Sequence, residues 1–398
     1  MKRAAIALFT LFSILFLIAV GALTTLLLAD WEGETATPTA TVRATAATPT
    51  TQSARATLTP ARTPVAPQPA RTPRPTTTPA LTATPAGGTG AISAANAADV
   101  VERGTVALEG APDTANAIRS FAWSPDGALI AAPEPGNNRV ALIDAETRAL
   151  ARTIAAQDEP VRSVAFSPDG SRLATGSREI TIWNVESGEM VATLEGHTQP
   201  ALSLAFNPDG ATLVSTGADG SVRLWDAGTG EPQSQVRLGV AGQAVAFSPD
   251  GATFAAYGER IVKVWEVESG EEIATLEHSA LVSGMAFTPD GQQIATASLD
   301  GAVRVWDLET GDIAATLRAA GADAQPLGLA YTLDGTALAV GDAARPTLDL
   351  IDARTGEVLA ELEAGALSTV VRFAADGRQL AALSGQRGEA LTIWGLPE

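Results

Sequence analysis

Residues 161–194 read VRSVAFSPDGSRLATGSREITIWNVESGEMVATL, and this stretch decides the fold. Its first β-rich run ends at Phe166, directly before Ser-Pro-Asp-Gly. That sequence is a strong turn signal, because Pro presets one turn angle and Gly tolerates a positive φ. Three further runs follow, at Arg172–Gly176, Ile180–Trp183 and Met190–Leu194, with a Ser-Gly-Glu turn before the last. The stretch therefore predicts a four-stranded unit whose strands are joined by short turns.

The unit recurs along the chain beyond residue 100. Its most regular feature is an Asp-Gly pair that follows an aromatic residue, and neighbouring pairs lie 40 to 44 residues apart. That period is typical of the four-stranded blades of a β-propeller. The glycines of the pairs are Gly127, Gly170, Gly210, Gly251, Gly291, Gly335 and Gly377. We therefore predict an all-β fold, a β-propeller with seven blades.

Alanine directly precedes most of the aromatic residues. The innermost strands of a propeller converge and leave little room for side chains, so these alanines are expected to lie there. They are Ala122, Ala165, Ala205, Ala246, Ala286 and Ala330.

The two ends of the repeat array are predicted to share one blade. The last repeat has three strands, and residues 105–110, upstream of the first repeat, read TVALEG. This is similar to the fourth-strand sequence VATLEG at 191–196. We therefore expect Val106–Glu109 to complete the last blade beside Leu391–Trp394, which protects both sheet edges.

Short motifs within the units point to a known family. Two predicted third strands end in Trp-Asp, at Trp225-Asp226 and Trp306-Asp307, and Gly196-His197 opens a repeat. With these motifs the chain resembles the WD-repeat family across residues 101–398. The tryptophan without the aspartate stands at Trp183, Trp265 and Trp394, and isoleucine replaces it at Ile143 and Ile351.

The resemblance implies a structural role for the two histidines. In the family, this histidine belongs to a hydrogen-bond network with a Ser or Thr of the second strand, an Asp of the next turn and the Trp. The fifth unit has His278, Ser298, Asp300 and Trp306 at these positions. The third unit has His197, Asp219 and Trp225, but Gly217 replaces the serine, which leaves Ser215 or Thr216 as substitutes. The alternative role for both histidines is general-base catalysis.

The remaining chemistry favours binding over catalysis. The chain has no cysteine, which excludes disulfides, thiolate metal sites and cysteine nucleophiles. Most acidic residues stand in Asp-Gly, Ser-Gly-Glu or Thr-Gly-Glu turns, where turn propensity explains them. The predicted innermost strands contain no Asp, Glu or His, and no phosphate-binding or hydrolase motif occurs. We therefore predict no enzyme activity, no cofactor and no metal site.

Two arginines form a candidate partner-binding rim. Arg119 and Arg162 each stand four residues before the aromatic residue of their unit, in the first and second blades. Two guanidinium groups at one rim of the channel could bind a carboxylate or an acidic peptide. The alternative is ordinary ion pairing with nearby acidic turn residues.

The first 98 residues are predicted to tether the propeller to a membrane. Residues 1–30 form a transmembrane signal-anchor, because Ala4–Ala29 contains no charged residue and is long enough to span a bilayer. Lys2 and Arg3 precede this run and acidic residues follow it, so the positive-inside rule places the N-terminus in the cytoplasm. Residues 31–98, rich in Thr, Pro and Ala, are predicted to be a disordered linker, and residues 99–398 the propeller.

Charge narrows the range of partners. The net charge is −19, yet residues 1–98 carry seven basic and three acidic residues, so residues 99–398 carry about −23. Such a surface repels phosphate backbones, which argues against nucleic-acid binding. The predicted function is a non-enzymatic scaffold that binds a protein or peptide outside the cytoplasmic membrane, in an organism that composition indicates is bacterial. The alternatives are a calcium-dependent hydrolase or lactonase-like propeller, and an envelope spacer.

Overall fold

The computed structural model describes residues 90–108, 120–134, 138–154, 159–318, 325–364, 368–384 and 390–397. The predicted signal-anchor (1–30) and the predicted linker up to residue 89 lie outside these ranges, as does Arg119. Within them, no helix is both long and apolar enough to cross a membrane.

The described chain forms seven four-stranded antiparallel sheets, which are the predicted blades. A short 3₁₀ helix (Ala97–Asp99) and strand β1 (Val101–Ala107) come first along the chain. Blade 1 contains β2 (Ala122–Trp123), β3 (Leu129–Pro133), β4 (Val140–Asp144) and β5 (Leu150–Ile154). Blade 2 contains β6 (Ser163–Phe166), β7 (Arg172–Gly176), β8 (Ile180–Asn184) and β9 (Met190–Leu194). Blade 3 contains β10 (Ala201–Phe206), β11 (Thr212–Gly217), β12 (Ser221–Asp226) and β13 (Pro232–Arg237).

Blades 4 to 7 repeat the pattern. Blade 4 contains β14 (Ala244–Phe247), β15 (Thr253–Gly258), β16 (Ile261–Glu266) and β17 (Glu272–Glu277). Blade 5 contains β18 (Val282–Phe287), β19 (Gln293–Ser298), β20 (Val303–Asp307) and β21 (Ile313–Arg318). Blade 6 contains β22 (Pro326–Tyr331), β23 (Ala337–Asp342), β24 (Thr347–Asp352) and β25 (Val358–Glu363). Blade 7 contains β26 (Ser368–Phe373), β27 (Gln379–Ser384) and β28 (Ala390–Gly395), with β1 as its fourth strand.

The first strand of each blade in chain order lies at the centre of the ring. Strands β2, β6, β10, β14, β18, β22 and β26 each contact the corresponding strands of the two adjacent blades, and the contact of β26 with β2 closes the ring. The other strands of a blade follow outward in pairing order. The prediction of an all-β, seven-bladed propeller is therefore confirmed.

Side-chain hydrogen bonds connect neighbouring blades near the centre of the ring. The Ser163 hydroxyl donates to the carbonyl oxygen of Ala201 at 3.3 Å, which joins blades 2 and 3. The Tyr257 hydroxyl donates to the carbonyl of Ser283 at 3.1 Å, and the Ser283 hydroxyl donates to the carbonyl of Pro326 at 2.5 Å. Blades 4, 5 and 6 are thereby fixed to one another close to the channel.

The N-terminal strand closes the last blade, as the sequence predicted. β1 pairs antiparallel with β28, from Val101 opposite Gly395 to Ala107 opposite Ala390. The strand begins earlier than predicted, at Val101 instead of Val106, and Glu109 lies outside the described residues. Both strands at the seam therefore have partners, and the ring has no open edge at this point.

The second and third strands of each blade supply the core. Every residue of β11 is buried, whereas the outer strand β13 is almost entirely exposed. Side chains of adjacent blades pack together: Trp225 of blade 3 is fully buried in one cluster with Ile182 of blade 2. Removing a buried aromatic side chain of this size costs about 3–5 kcal/mol, so these tryptophans hold neighbouring blades together.

Residues 90–98, predicted to belong to the linker, pack against the propeller. Ile92 is 1% exposed, and its N–H donates to the carbonyl oxygen of Gly377 at 2.8 Å. Ala97 is buried in the same apolar cluster between blades 6 and 7. The predicted boundary at residue 98 therefore differs from the structure, because Ile92 and Ala97 provide buried apolar groups that the preceding Thr/Pro-rich stretch lacks.

Candidate binding site in the central channel

In the third blade, His197 links the turn aspartate to the blade tryptophan. Its Nδ1 lies 3.1 Å from Asp219 Oδ2, and its Nε2 lies 2.8 Å from Ser215 Oγ. The Nε1–H of Trp225 donates to the same Ser215 oxygen at 2.8 Å. The structure thus brings His197, Asp219 and Trp225 together, and the hydroxyl between them belongs to Ser215, not to Thr216.

In the fifth blade, the histidine reaches the tryptophan through Thr296. His278 Nε2 lies 2.9 Å from Thr296 Oγ1, which also accepts a hydrogen bond from Trp306 Nε1–H at 2.8 Å. Ser298, which the sequence predicted in this network, lies two residues further along β19, and its hydroxyl accepts a hydrogen bond from the Asp300 N–H instead of contacting His278 or Trp306. The predicted serine is therefore replaced by Thr296.

Asp300, the fourth predicted member of this network, is bonded elsewhere. Its carboxylate accepts a hydrogen bond from the Ser279 hydroxyl at 2.6 Å and forms an ion pair with Arg304 at 2.9 Å. His278 Nδ1 is buried and has no hydrogen-bond partner. The fifth blade therefore holds a histidine–threonine–tryptophan chain without the carboxylate.

Two small differences explain why only the third blade pairs its histidine with aspartate. A Cβ added at Gly217 would lie 2.6 Å from His197 Nδ1, so the absence of a side chain there makes room for the pair. In strand register, Ser298 is the counterpart of Gly217 and occupies this space in blade 5. Ser221 also donates to the turn aspartate of blade 3 at 2.7 Å, and its counterpart Ala302 has no hydroxyl.

Burial keeps both imidazoles neutral. It lowers the pKa of His197, although the hydrogen bond and charge of Asp219 oppose this effect. It also lowers the pKa of His278, and the Arg304 charge acts in the same direction. Burial raises the pKa of Asp219, but hydrogen bonds led by that of Ser221 outweigh it and hold this pKa well below its usual range. Both rings are less than a tenth exposed, so neither faces the channel as a base.

The second blade contains a related bond that the sequence did not reveal. Trp183 Nε1–H donates to Thr175 Oγ1 at 2.8 Å. Thr175 stands two residues after Leu173, the strand partner of Trp183, just as Ser215 stands two residues after the partner of Trp225. A Ser or Thr at this register position is the signal that identifies the hydroxyl.

The sixth blade, which has Ile351 in place of tryptophan, contains a buried ion cluster. The side chains of Asp342 and Asp349 are fully buried, and Arg318 and Arg345 each form ion pairs with both carboxylates. This cluster was hard to predict from the sequence, since only Asp349 interrupts the apolar pattern of β24. Since Arg318 ends the outer strand β21 of blade 5, the cluster also joins blades 5 and 6.

A cavity of about 620 Å³ occupies the central channel. This volume lies within the usual range for small-ligand and peptide-anchor pockets. Most lining residues are apolar or uncharged, and Leu281 and Leu299 are 45% and 37% exposed, so the cavity opens to solvent beside them. Glu259 is the single carboxylate among the described residues that line it.

Arg372 is the single basic residue among the described residues of this wall. It directly precedes the aromatic residue of β26, at the position that alanine occupies in the other six blades. Those alanines were predicted to lie on the innermost strands, whereas the arginine at the seventh position was not predicted. Its side chain is exposed to the channel, and its backbone carbonyl accepts a hydrogen bond from Trp123 Nε1–H at 3.2 Å.

The predicted arginine rim lies only partly within the described residues. Arg162 is half-buried, its backbone N–H donates to the carbonyl of Gly176 at 2.7 Å, and it does not line the cavity. Arg119 lies outside the described ranges, so the shared rim stays a prediction. No group of three or more metal-binding side chains occurs in the part of the chain that the structure describes.

A closed ring of seven four-stranded blades around a partly open central cavity defines a β-propeller with a central channel. Three segments of the chain, 149–184, 188–226 and 270–307, match the family model described as WD domain, G-beta repeat. The protein is a seven-bladed propeller that carries WD40 repeats, as the sequence predicted. The comparison with curated proteins gives no match.

The matched segments are offset from the blades. Residues 188–226, for example, contain the outer strand β9 of blade 2 and the three inner strands of blade 3. Each repeat therefore crosses a blade boundary, which is also why the outer strand of the last blade comes from the start of the array.

Proposed function

We propose that this protein is a non-enzymatic scaffold that binds a protein or peptide at its central channel. WD40 propellers are generally protein-interaction scaffolds. The observation that carries the proposal is the partly open cavity, whose mouth presents the exposed side chains of Leu281 and Leu299. Exposed apolar side chains next to a concave surface are typical of interaction sites.

The two histidines and the two most buried carboxylates of the described residues have structural contacts. Both histidines are buried and bonded to the Ser215 and Thr296 hydroxyls, so they are not presented to a substrate. Asp342 and Asp349, which are the most buried carboxylates, are paired with arginine. These contacts support binding as the main activity of the propeller.

The proposal includes display of the propeller outside the cytoplasmic membrane. Its support is the uncharged run Ala4–Ala29, preceded by Lys2 and Arg3 and followed by a Thr/Pro-rich stretch that can act as a stalk. A partner at the cell surface is therefore the partner to seek.

The test is crosslinking in intact cells with the tagged full-length chain, followed by identification of the captured protein. Leu281→Asp places a charge at the channel mouth and is expected to abolish capture. Leu150→Asp is the matched control, because Leu150 is 61% exposed on the outer strand β5, away from the cavity. Capture that survives Leu281→Asp, or calcium-dependent hydrolysis by the purified chain, contradicts the proposal.

A further inference from the structure

Arg372, at the wall of the central channel, departs from the residue pattern of the other blades. In six blades the residue before the inner-strand aromatic is alanine, which suits the crowded centre of a propeller. In blade 7 the same position carries the long, charged side chain of Arg372, which lies in the cavity. Packing gives no reason for a guanidinium group there, because alanine fills this position elsewhere in the ring.

The Arg372 guanidinium has no hydrogen-bond or ion-pair partner within the described residues. Two less exposed arginines of the propeller are paired: Arg304 with Asp300, and Arg318 with two carboxylates of blade 6. A channel-facing cation without a protein partner leaves its hydrogen-bond donors available to an incoming anion. Glu259, the one carboxylate in the described wall, forms no ion pair with it.

Two hydroxyl groups in the same wall have hydrogens to donate. Ser120 Oγ accepts the N–H of Val164 at 3.3 Å, and Ser203 Oγ accepts the N–H of Val245 at 3.2 Å. Neither hydroxyl donates to another described group. Both residues line the same cavity as Arg372, so its wall offers an anion one cation and two hydroxyl donors.

The remaining wall and the charge of the domain limit the kind of anion. Leu281, Leu299, Met285 and Val370 line the cavity and favour an apolar body. A single arginine matches one negative charge, and the surrounding domain, with about −23, repels polyanions such as phosphate chains. A carboxylate on an apolar body fits both conditions.

We infer that the channel is a binding site for a carboxylate attached to an apolar body, with Arg372 as its counter-ion. Guanidinium and carboxylate groups form paired hydrogen bonds, which gives orientation as well as affinity. The carboxylate comes either from the free C-terminus of a peptide or from a small organic acid. The inference deepens the proposed function and rests on it for the channel being the binding surface.

The test is titration calorimetry on the full-length chain with two pairs of probes. One pair is hexanoate and hexanamide, and the other is a hexapeptide ending in Leu-Leu with a free or an amidated C-terminus. We expect at least one carboxylate probe to bind and its amide to bind at least about tenfold more weakly, a factor that corresponds to 1.4 kcal/mol. Binding of the peptide alone identifies a C-terminus as the ligand, and binding of hexanoate alone identifies a small acid.

Arg372→Ala is the decisive variant, because it restores the residue of the other six blades and should fold. We expect it to weaken carboxylate binding at least about tenfold while its melting temperature without ligand stays the same or rises. Arg378→Ala is the matched control: Arg378 lies in the same blade, its side chain is 63% exposed, and it does not line the cavity. Equal binding of acid and amide, unchanged binding by Arg372→Ala, or no binding of any probe overturns the inference.

The two proposals fail in distinguishable ways. If Leu281→Asp abolishes partner capture but no carboxylate binds, only the carboxylate site is refuted. If hexanoate binds through Arg372 but no partner depends on the channel mouth, the scaffold function is refuted and the site serves a small acid.

Discussion

At the scale of single residues, the histidine networks show what the alternation of side chains between the two faces of a strand can predict and what it cannot. Ser215 and Thr216 point to opposite faces of β11, so only one of them can reach the tryptophan. Thr296 and Ser298 share one face of β19 and differ only in their position along the strand. The histidine and the tryptophan were therefore predictable from the sequence, whereas the bonding hydroxyl required the strand register.

Thr296 and Ser298 make a matched pair for mutagenesis. We expect Thr296→Val to lower the free energy of unfolding by about 2–3 kcal/mol, because it leaves the buried Trp306 N–H and His278 Nε2 without their partner. Ser298→Ala should cost less than about 1 kcal/mol, since its hydroxyl makes only a 3.4 Å contact to the Asp300 N–H. Urea denaturation of the full chain measures both, and a larger loss for Ser298→Ala would contradict the assignment.

The lowered histidine pKa values predict a pH dependence of stability. Below the ordinary histidine pKa of about 6.5, the unfolded chain binds protons that buried His197 and His278 do not, so protonation favours unfolding. The melting temperature should therefore fall as the pH decreases from 7.5 to 5.5. Aspartates do not interfere in this window, because lowered pKa values such as those of Asp169 and Asp300, about 2, act only below the ordinary value of 3.8.

The control for this prediction removes both titrating groups. A chain carrying His197→Gln and His278→Gln should melt at nearly the same temperature at pH 7.5 and pH 5.5, whatever its absolute stability. Greater stability of the native chain at pH 5.5 would show instead that the charged imidazole of His197 is held by Asp219.

At the scale of elements, the repeat predicted the positions of the strands well. It did not predict the charged side chains of blades 6 and 7 that depart from the repeat. Asp-Gly and Ser-Gly-Glu turns located hairpins because glycine at these positions has a positive φ, 71° at Gly170 and 73° at Gly188. The ion cluster of blade 6 escaped prediction because Arg318 comes from blade 5 and Asp349 from blade 6, and the two meet only in the folded ring. Arg372 escaped because a single departure from a repeat resembles ordinary divergence until its surroundings are known.

The seam between β1 and β28 is the element whose loss should affect the whole ring. A chain that lacks Val101–Ala107 leaves the edge of β28 unpaired and exposes the apolar cluster that Val106 helps to cover. We expect its melting temperature to lie more than about 5 °C below that of a reference chain that begins at residue 90 and keeps this strand. Deletion of Leu391–Trp394 should do at least as much, because Trp394 is fully buried. Melting at the temperature of the intact ring would refute closure by this strand.

At the scale of the whole molecule, the sequence predicted the number of blades and the closure because both follow from periodicity. The period of about forty residues identifies the four-stranded unit. The three-stranded last repeat and the extra strand before the first repeat identify the blade that closes the ring. The channel ligand does not follow from periodicity, since it depends on which side chains the closed ring brings together. Ser120, Ser203 and Arg372 are far apart in the sequence and belong to three different blades.

The absence of cysteine from the chain permits a direct test of the proposed display. Ser234→Cys introduces a nearly isosteric thiol on the exposed outer strand β13, and Ala4→Cys introduces one next to the basic N-terminus. If the positive-inside rule orients the chain as proposed, a membrane-impermeant maleimide added to intact cells should label Ser234→Cys at once. It should label Ala4→Cys only after lysis, and the unsubstituted chain serves as the blank. The reverse pattern would place the propeller in the cytoplasm, whereas labelling of neither variant before lysis would show that the propeller is not displayed at the surface.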